Sequence, residues 1–224
     1  TGELISEART AGARRIVIGV GGSASTDGGL GAIRAMEPLV RLSGVDLLVA
    51  CDVETRFLDA PSVFGPQKGA TDAQIELLER RLRRLADMYL EEFGVDVTAL
   101  KRSGAAGGLA GGLAAIGAQL VNGFELIAEE VALEDAITNA DIVITGEGRL
   151  DRESFNGKVV GGVAGIAKQH QVPVVAVVGS CDSDFVLPEG LTMLSLVEIF
   201  GSDRAHNETT QCLTNLGTQI LTDL

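Results

Sequence analysis

The chain has 224 residues, of which 46% are hydrophobic, enough for one large α/β domain or two small ones with a sizeable core. Aromatic residues make up only 4% and Trp is absent, so the core must consist of Val, Ile, Leu and Ala, as in parallel sheets covered by helices. The net charge of −13 without a basic tract disfavours nucleic-acid and anionic-membrane partners, and no apolar run reaches the ~18 residues of a membrane span.

The three cysteines and the start of the chain bear on its compartment and completeness. Cys51, Cys181 and Cys212 are odd in number and widely spaced, which fits neither a disulfide framework nor a zinc site and predicts a reducing compartment. No signal peptide is visible. The chain lacks an initiator Met and begins at once in a helical pattern, so we expect it to be a fragment of a longer protein.

Hydrophobic periodicity predicts short β-branched strands that alternate with helices. Strands are predicted at 15–20, 47–51, 141–145, 173–178 and 192–199. Helices are predicted at 3–12, 28–36, 72–93, 124–131, 133–139, 159–170 and 205–224, with a closely packed helix in the Gly/Ala-rich stretch 104–120. Thr71 is expected to cap the long helix and Gly94 to end it. This alternation predicts an α/β fold with a mainly parallel, doubly wound sheet and helices on both faces.

In such a sheet, ligands bind beyond the carboxyl ends of the strands, and the first of these ends leads into residues 21–29, the glycine loop. "GVGGSA" has the form of a dinucleotide-binding turn, but that turn needs an acidic residue about 20 residues further on. Asp46 precedes the next strand and Asp52 lies too far along. An anion cradle of backbone amides, aided by the positive end of the helix after Gly28, fits better. A plain strand-to-helix turn with Asp27 as N-cap is the alternative.

Two further loops each offer one charged side chain. In "ACDVET", Asp52 ends a buried strand, where α/β enzymes place a metal ligand or a base, and a solvated loop acid is the alternative. In "FGPQKGAT", Gly65, Pro66 and Gly69 fix the backbone around Lys68. This rigidity favours Lys68 as a positioned cation for a carboxylate or a phosphate.

The stretch "GEGRLDRESFNGK" is predicted to be a loop that collects charged side chains after the strand 141–145. Its acids could hold Mg²⁺ or take a hydroxyl proton, and its last cation could meet an anion at the next helix. It is not a Walker A loop, because that spacing fails and Val159 follows Lys158. An exposed charged loop is the alternative. The candidates are Glu147, Arg149, Asp151, Ser154 and Lys158, whereas His170 and His206 lack ligand spacing and are expected at the surface.

Together these stretches resemble the bacterial glycerate kinase family (type 1). The blocks that match, in the family's order and over nearly the whole chain, are "GVGGSASTDGGLGA", "ACDVET", "VFGPQKGAT", "AAGGLAGGLAAIGAQL", "DIVITGEGRLDRESFNGKVVGGVA" and "VPVVAVVGS". The resemblance implies ATP- and Mg²⁺-dependent phosphorylation of glycerate to a phosphoglycerate in the cytoplasm. It also implies two α/β lobes with the active site in the cleft between them, one lobe near residues 21–135 and the other in the remainder.

The chain departs from the family's pattern in two places. The family begins with a strand and an Asp-Ser-Phe-Lys-Gly-Ser motif, which are absent here. The stretch "ETRFLDAPS" also replaces a longer loop that contains Gly-Pro-Arg-Gly. Either departure is compatible with a protein that keeps the fold and lacks full activity.

These residues suggest a phosphoryl-transfer hypothesis, because that reaction needs positioning and charge neutralisation more than covalent chemistry. In it, the glycine loop and Lys68 hold anionic groups of substrate or nucleotide. Asp52 or Asp151 binds Mg²⁺ or accepts the hydroxyl proton with help from Glu147, while Arg149 and Lys158 offset charge on the transferred group. The candidates in the glycine loop are Gly21, Gly22, Ser23, Ser25, Asp27 and Gly28.

The sequence leaves open which loop holds ATP and which holds glycerate. We expect 2-phosphoglycerate rather than 3-phosphoglycerate as the product, and a monomer or homodimer. The alternative functions are an NAD(P)-binding oxidoreductase domain, based on "GVGGSA", and a non-catalytic fragment of a kinase fold.

Overall fold

The computed structural model describes residues 1–155, 158–182 and 186–222. The chain forms two compact units, Thr1–Leu126 and Ile127–Leu224. Each unit contains a three-stranded sheet in which every pairing is parallel. The α/β class with mainly parallel sheets and flanking helices is therefore confirmed. The expected lobes, about 21–135 and the remainder, stay a prediction.

The first unit contains strands β1 (Arg15–Gly19), β2 (Asp46–Cys51) and β3 (Gln119–Asn122), paired in that order. Its helices are α1 (Gly2–Thr10), α2 (Leu30–Ala35), α3 (Ala60–Phe64), α4 (Asp72–Phe93) and α5 (Leu109–Ala115), followed by α6 (Gly123–Glu130). The strand β3 was not predicted, because it is short and follows directly on the Gly/Ala-rich stretch that indicated a helix.

The long helix α4 begins and ends where the sequence predicts. Thr71 Oγ1 accepts a hydrogen bond from the Gln74 amide, and the Gln74 side chain accepts one from the Thr71 amide, which forms a capping box. Gly94 ends the helix in the left-handed conformation, with φ of 71°. The buried face of α4 packs on the first core, where the Tyr89 and Phe57 rings meet edge to face at 6.3 Å.

The second unit contains strands β4 (Val143–Leu150), β5 (Val174–Cys181) and β6 (Leu191–Ser195), again paired in chain order. Its helices are α7 (Leu133–Thr138), α8 (Val159–Gln169), α9 (Leu196–Phe200), α10 (Ser202–Asn207) and α11 (Thr209–Thr222). In the ranges that the structure describes, no helix is both long and apolar enough to span a membrane.

Several predicted boundaries in this unit are wrong, and the strand predicted at 173–178 extends to Cys181. The strand β4 continues through the first part of the predicted loop, because Gly146 lets the backbone approach Val177 so closely that a Cβ would collide with the Val177 carbonyl oxygen. The predicted strand 192–199 ends at Ser195, whose hydroxyl accepts from the Glu198 amide and starts α9. The predicted closing helix is interrupted between α10 and α11.

Candidate functional site

Two of the predicted site segments emerge from the same edge of the first sheet. The glycine loop follows β1, and Asp52 follows β2 directly. The strands are parallel neighbours with Gly19 opposite Ala50, so both loops leave the sheet at its carboxyl end. Asp52 is exposed there, as a ligand-binding carboxylate requires. This edge is where doubly wound sheets place their ligands.

The glycine loop presents backbone amides that find no acceptor among the residues that the structure describes. Gly28 adopts φ of 66° and donates its amide hydrogen to the Gly107 carbonyl at 3.1 Å. The buried Tyr89 hydroxyl donates to the Gly28 carbonyl at 3.0 Å, which fixes the end of the loop. At its start, the amides of residues 21–24 have no acceptor among the described residues. These amides, which include those of the predicted residues Gly21, Gly22 and Ser23, can therefore bind an anion.

Asp27 has a different role from the other residues of the glycine loop. Its carboxylate accepts from the Gly29 amide at 3.1 Å and from the Gly31 amide at 3.0 Å. It therefore occupies the start of α2, which the sequence analysis expected to attract a ligand anion. That helix has only six residues and its capping position is Gly29 rather than Asp27. The amides of the loop that have no acceptor among the described residues are those of residues 21–24.

Lys68 lies against the glycine loop, although 43 residues separate it from Ser25. Its ammonium group donates to the Ser25 carbonyl at 2.6 Å and lies 3.4 Å from Thr26 Oγ1. A short 3-10 helix, Pro66–Lys68, carries it and ends at Gly69, whose φ of 81° is left-handed. The side chain is half-buried, and this burial lowers the pKa of Lys68 below its usual value. The structure thus places a fixed cation against Ser25 and Thr26 of the glycine loop.

Residues 104–112, here called the small-residue segment, form the wall behind the glycine loop. A Cβ on Gly107 would collide with the Ser25 carbonyl oxygen, and one on Gly104 would collide with the Arg56 carbonyl oxygen. Only glycine allows this backbone contact. The sequence predicts a packed helix in this stretch, but not the contact of its first residues with the glycine loop. The signal was the repeated glycine pairs of "GAAGGLAGG".

A second contact ties the segment after β2 to the start of this wall. The Glu54 carboxylate pairs with Lys101 at 3.1 Å and with Arg102 at 3.0 Å. The hydrogen bond from Lys101 is the largest cause that lowers the pKa of Glu54. The Gly104 amide also donates to the Thr55 carbonyl at 3.0 Å. These bonds position the loop that begins with Asp52, and sequence reasoning missed all of them.

In the second unit, β4 carries two predicted site residues in its regular part. Glu147 lies opposite Val178 and Arg149 lies opposite Ser180, so both point to the same face of the sheet. The Glu147 Oε1 atom is buried and has no hydrogen-bond partner among the described residues. A buried carboxylate oxygen without a donor is costly, and such exceptions often mark function.

Arg149 is held by a residue that sequence reasoning did not identify. Its Nε and one of its terminal nitrogens donate to Asp182 Oδ1, at 2.9 and 2.7 Å. This hydrogen bond is the main cause that raises the pKa of Arg149. Asp182 follows β5 directly, so the pair lies at the carboxyl edge of the second sheet. Nothing in the sequence spacing connects these two residues.

Asp151 and Lys158 delimit the connection from β4 to α8. Asp151 Oδ1 accepts from the Ser154 amide, and the Asp151 amide donates to Ser154 Oγ, both at 3.1 Å. Asp151 therefore starts the 3-10 helix Arg152–Phe155, and Lys158 is the capping residue of α8. Residues 156–157 of this predicted loop lie outside the described residues.

The predicted residues thus fall into two groups, with Asp52, Lys68 and the glycine loop in the first unit and Glu147, Arg149, Asp151 and Lys158 in the second. Within residues 1–155, 158–182 and 186–222, no group of three or more His, Cys, Asp or Glu side chains could hold a metal ion. His206 is exposed, as expected, whereas His170 is half-buried and lies 2.8 Å from Glu134 Oε1.

Comparison with known proteins shows that the similarity to glycerate kinases covers both units. The model of the glycerate kinase family matches residues 1–39 and 37–224. A glycerate kinase of Halalkalibacterium halodurans is 39% identical in an alignment of 212 residues, which covers 80% of this chain and 56% of that protein. The glycerate 2-kinase of Escherichia coli K12 is 38% identical in an alignment of 216 residues, which covers 82% of this chain and 57% of that protein.

A solved structure agrees with these sequence matches. The crystal structure of a Salmonella typhimurium LT2 protein assigned as glycerate kinase 2 is similar with a TM-score of 0.71 at 35% identity, over 97% of this chain and 68% of that chain. The chain spans little more than half the length of the curated relatives it matches, 56% and 57% for the two above. Because the family model matches nearly every residue of both units, the chain belongs to the glycerate kinase family.

Proposed function

We propose that this chain carries the site of an ATP- and Mg²⁺-dependent kinase that phosphorylates glycerate, with 2-phosphoglycerate as the product. The observation that carries the proposal is the position of Lys68 against Ser25 of the glycine loop, on the sheet edge that also bears Asp52. In the same loop, the amides of residues 21–24 have no acceptor among the described residues. The names of the relatives, glycerate kinase and glycerate 2-kinase, support this reaction.

The first unit provides the charge neutralisation that phosphoryl transfer requires. The amides of residues 21–24 donate hydrogen bonds to an anionic group, and Lys68 adds a full positive charge beside them. Both are fixed before a ligand arrives, since Lys68 is bound to the Ser25 carbonyl and the small-residue segment supports the loop. Preorganised donors of this kind stabilise developing charge at little reorganisation cost.

The second unit provides acid–base groups. The buried Glu147 oxygen lacks a donor among the described residues, which suits a group that receives its hydrogen bond from a ligand hydroxyl. Glu147 or Asp52 then accepts the hydroxyl proton of glycerate as phosphoryl transfer proceeds. Arg149 and Lys158 offset negative charge on the transferred group.

The acidic residues fit a magnesium ion that is shared with the nucleotide. Mg²⁺ is usually bound by one or two carboxylates together with substrate phosphates, rather than by a cage of protein ligands. Asp52, exposed at the sheet edge, or Asp151 is the carboxylate that would hold it. When bound, the ion neutralises charge on the phosphate oxygens.

We further propose a cytoplasmic protein that acts as a monomer or homodimer.

The oxidoreductase alternative has less support. A dinucleotide site needs an acidic residue at the end of the second strand, about 20 residues after the glycine turn. The acid that follows β2 is Asp52, which lies further along the chain than that spacing allows. The match to the kinase family also favours phosphoryl transfer.

The proposal is tested with an assay that couples ADP release to glycerate, ATP and Mg²⁺, with the product identified by phosphorus NMR. We expect Lys68→Met and Asp52→Asn each to lower kcat/KM by about 100-fold. Matched controls are Lys168→Met and Asp59→Asn, which remove exposed charges elsewhere and leave kcat/KM unchanged. Unchanged activity in both site variants would refute the assignment. If this chain is inactive while one extended to the length of the relatives turns over, the fragment alternative is correct.

A further inference from the structure

A groove of about 960 Å³ runs along α4 and ends at the glycine loop. Thr26, Asp27 and Leu30 form one side, and the other side consists of α4 residues between Leu77 and Glu91. Thr26 is also the residue whose hydroxyl lies 3.4 Å from the Lys68 ammonium. The groove is therefore continuous with the site proposed above to bind an anion.

The α4 side of the groove carries apolar and cationic side chains in one stripe, and the acidic residues Asp87 and Glu91 also line it. Leu77, Arg81, Arg84 and Met88 follow one another at helical spacing, so they share a face of α4. Leu77 and Met88 are 41% and 36% exposed, which leaves apolar surface uncovered at both ends of the stripe. Arg81 and Arg84 lie between them.

The two central arginines are available to a ligand. Among the residues that the structure describes, Arg81 and Arg84 form no ion pair or hydrogen bond with another side chain. Their neighbour Arg80 makes only a 3.8 Å contact with Glu76 on the same helix. Guanidinium groups stack on aromatic rings and donate hydrogen bonds in the plane, whereas the thioether of Met makes favourable contacts with aromatic rings.

We propose that this arginine groove binds the nucleoside part of the phosphoryl donor. The base lies under the Arg81 and Arg84 side chains, in the stretch of groove that Leu77 and Met88 border at its two ends, and the phosphates leave the groove at Thr26 to reach Lys68 and the amides of residues 21–24. The inference rests on the proposed kinase function and deepens it, because it assigns the nucleotide to the first unit.

Size and chemistry both favour a nucleoside over the acceptor acid. Pockets of roughly 300–1,000 Å³ hold ligands of nucleotide size, and a three-carbon acid would fill only a small part of this groove. Glycerate also has no aromatic face for the arginines and the Met88 side chain to contact. A nucleoside triphosphate has an aromatic base at one end and phosphates at the other. The base matches the arginine groove, and the phosphates match Lys68 and the amides of residues 21–24 at the end of the groove.

The test measures the binding of ADP and of inorganic triphosphate, which lacks the nucleoside, to this chain by calorimetry. We expect the double variant Arg81→Gln/Arg84→Gln to weaken ADP binding by about tenfold and to leave triphosphate binding unchanged. Lys68→Met should weaken both ligands. The matched control is Arg83→Gln, an exposed arginine on the same helix that does not line the groove and should bind ADP as the unmodified chain does.

The outcomes separate this inference from the kinase proposal. ADP binding that is unchanged in the double variant, or an equal loss of ADP and triphosphate binding, would overturn the groove assignment. If the double variant keeps its ADP affinity while the chain turns over glycerate, the kinase function stands without the groove. If ADP binding depends on Arg81 and Arg84 but no glycerate is phosphorylated, the groove stands and the kinase function fails.

Discussion

Arg149 and Asp182 are joined by two hydrogen bonds that end on a single carboxylate oxygen, at 2.9 and 2.7 Å. Arg149 lies in β4 and Asp182 follows the neighbouring strand β5, so the pair connects adjacent carboxyl ends of the second sheet. An exposed ion pair of this kind adds little to stability. Its effect is to orient the guanidinium before any ligand binds.

We expect Asp182→Asn to lower kcat several-fold with little change in the KM for glycerate, because the arginine keeps its charge and loses its orientation. The measurement is steady-state kinetics with Asp182→Glu as the conservative variant, which should recover part of the loss. Glu208→Gln removes the exposed partner of Arg204 and serves as the control with unchanged activity. A kcat for Asp182→Asn equal to that of the unmodified chain would show that the pair does not position Arg149 for the reaction.

Glu147→Gln should lower activity without lowering stability. If Glu147 accepts the hydroxyl proton, the amide should lower kcat by about 100-fold or more. The free energy of unfolding should stay the same or rise, because the buried oxygen has no donor among the described residues and a neutral amide is cheaper to bury. Turnover and urea unfolding of the same preparation are compared. Loss of stability together with activity would assign Glu147 a structural role.

Gly107→Ala should disrupt the support of the glycine loop. A Cβ there collides with the Ser25 carbonyl, and the φ of 67° adds strain. We expect a loss of about 2 kcal/mol or more in the free energy of unfolding, together with loss of ADP binding. Gly19→Ala is the control, since a Cβ at that strand position meets no atom within 4 Å. Equal stability of the two variants would contradict the packing described here.

Thr71→Ala should destabilise α4 by about 1 kcal/mol, because it removes one half of the capping box. The chain contains one Tyr and no Trp, so the fluorescence of the buried Tyr89 reports the unfolding of the first unit specifically. The control Thr218→Ala lies in α11 of the other unit and should not shift this transition. A shift of similar size in both variants would mean that the cap makes no separate contribution.

The pH dependence of anion binding should follow Lys68. Burial lowers the pKa of Lys68, so its charge is lost at a lower pH than that of an exposed lysine. Triphosphate affinity should therefore fall as the pH rises through that pKa. Stability should change with pH in the opposite direction. Between the lowered pKa of Lys68 in the folded chain and its ordinary pKa in the unfolded chain, the unfolded chain binds more protons. The Lys68 contribution to the free energy of unfolding therefore rises with pH in that range. In Lys68→Met, both pH dependences should disappear from calorimetry and urea titrations.

Local sequence signals predicted the parts of the fold that local interactions determine. Helix α4 was predicted from its periodicity, its Thr71 cap and its Gly94 end, and the positions of β1 and β2 followed from short β-branched runs. The same signals placed the glycine loop and Asp52 at strand ends, where the structure has them. Lys68 was singled out because of its rigid neighbours, and that rigidity is now seen as a 3-10 helix ended by Gly69.

What the sequence did not reveal depends on distant partners. Gly146 and Gly148 indicated a loop, and only the close approach of β5 explains why they belong to a strand. Asp182 and Glu54 are unremarkable acids until folding brings them to Arg149 and Lys101. The role of Asp27 was ambiguous, because an acid before a helix can bind the helix amides itself or leave them for a ligand.

The small-residue segment limits which parts of the site can change among related proteins. Its contacts with Ser25 and Arg56 involve carbonyl oxygens, which every residue type has, so side-chain exchange in the loops cannot widen or narrow that spacing. New substrate preferences must therefore arise from the side chains that border the wall, such as those of 52–56, and not from the wall itself. Substitutions at Gly104 and Gly107 should remain rare in any family member that keeps this loop, whatever acid it phosphorylates.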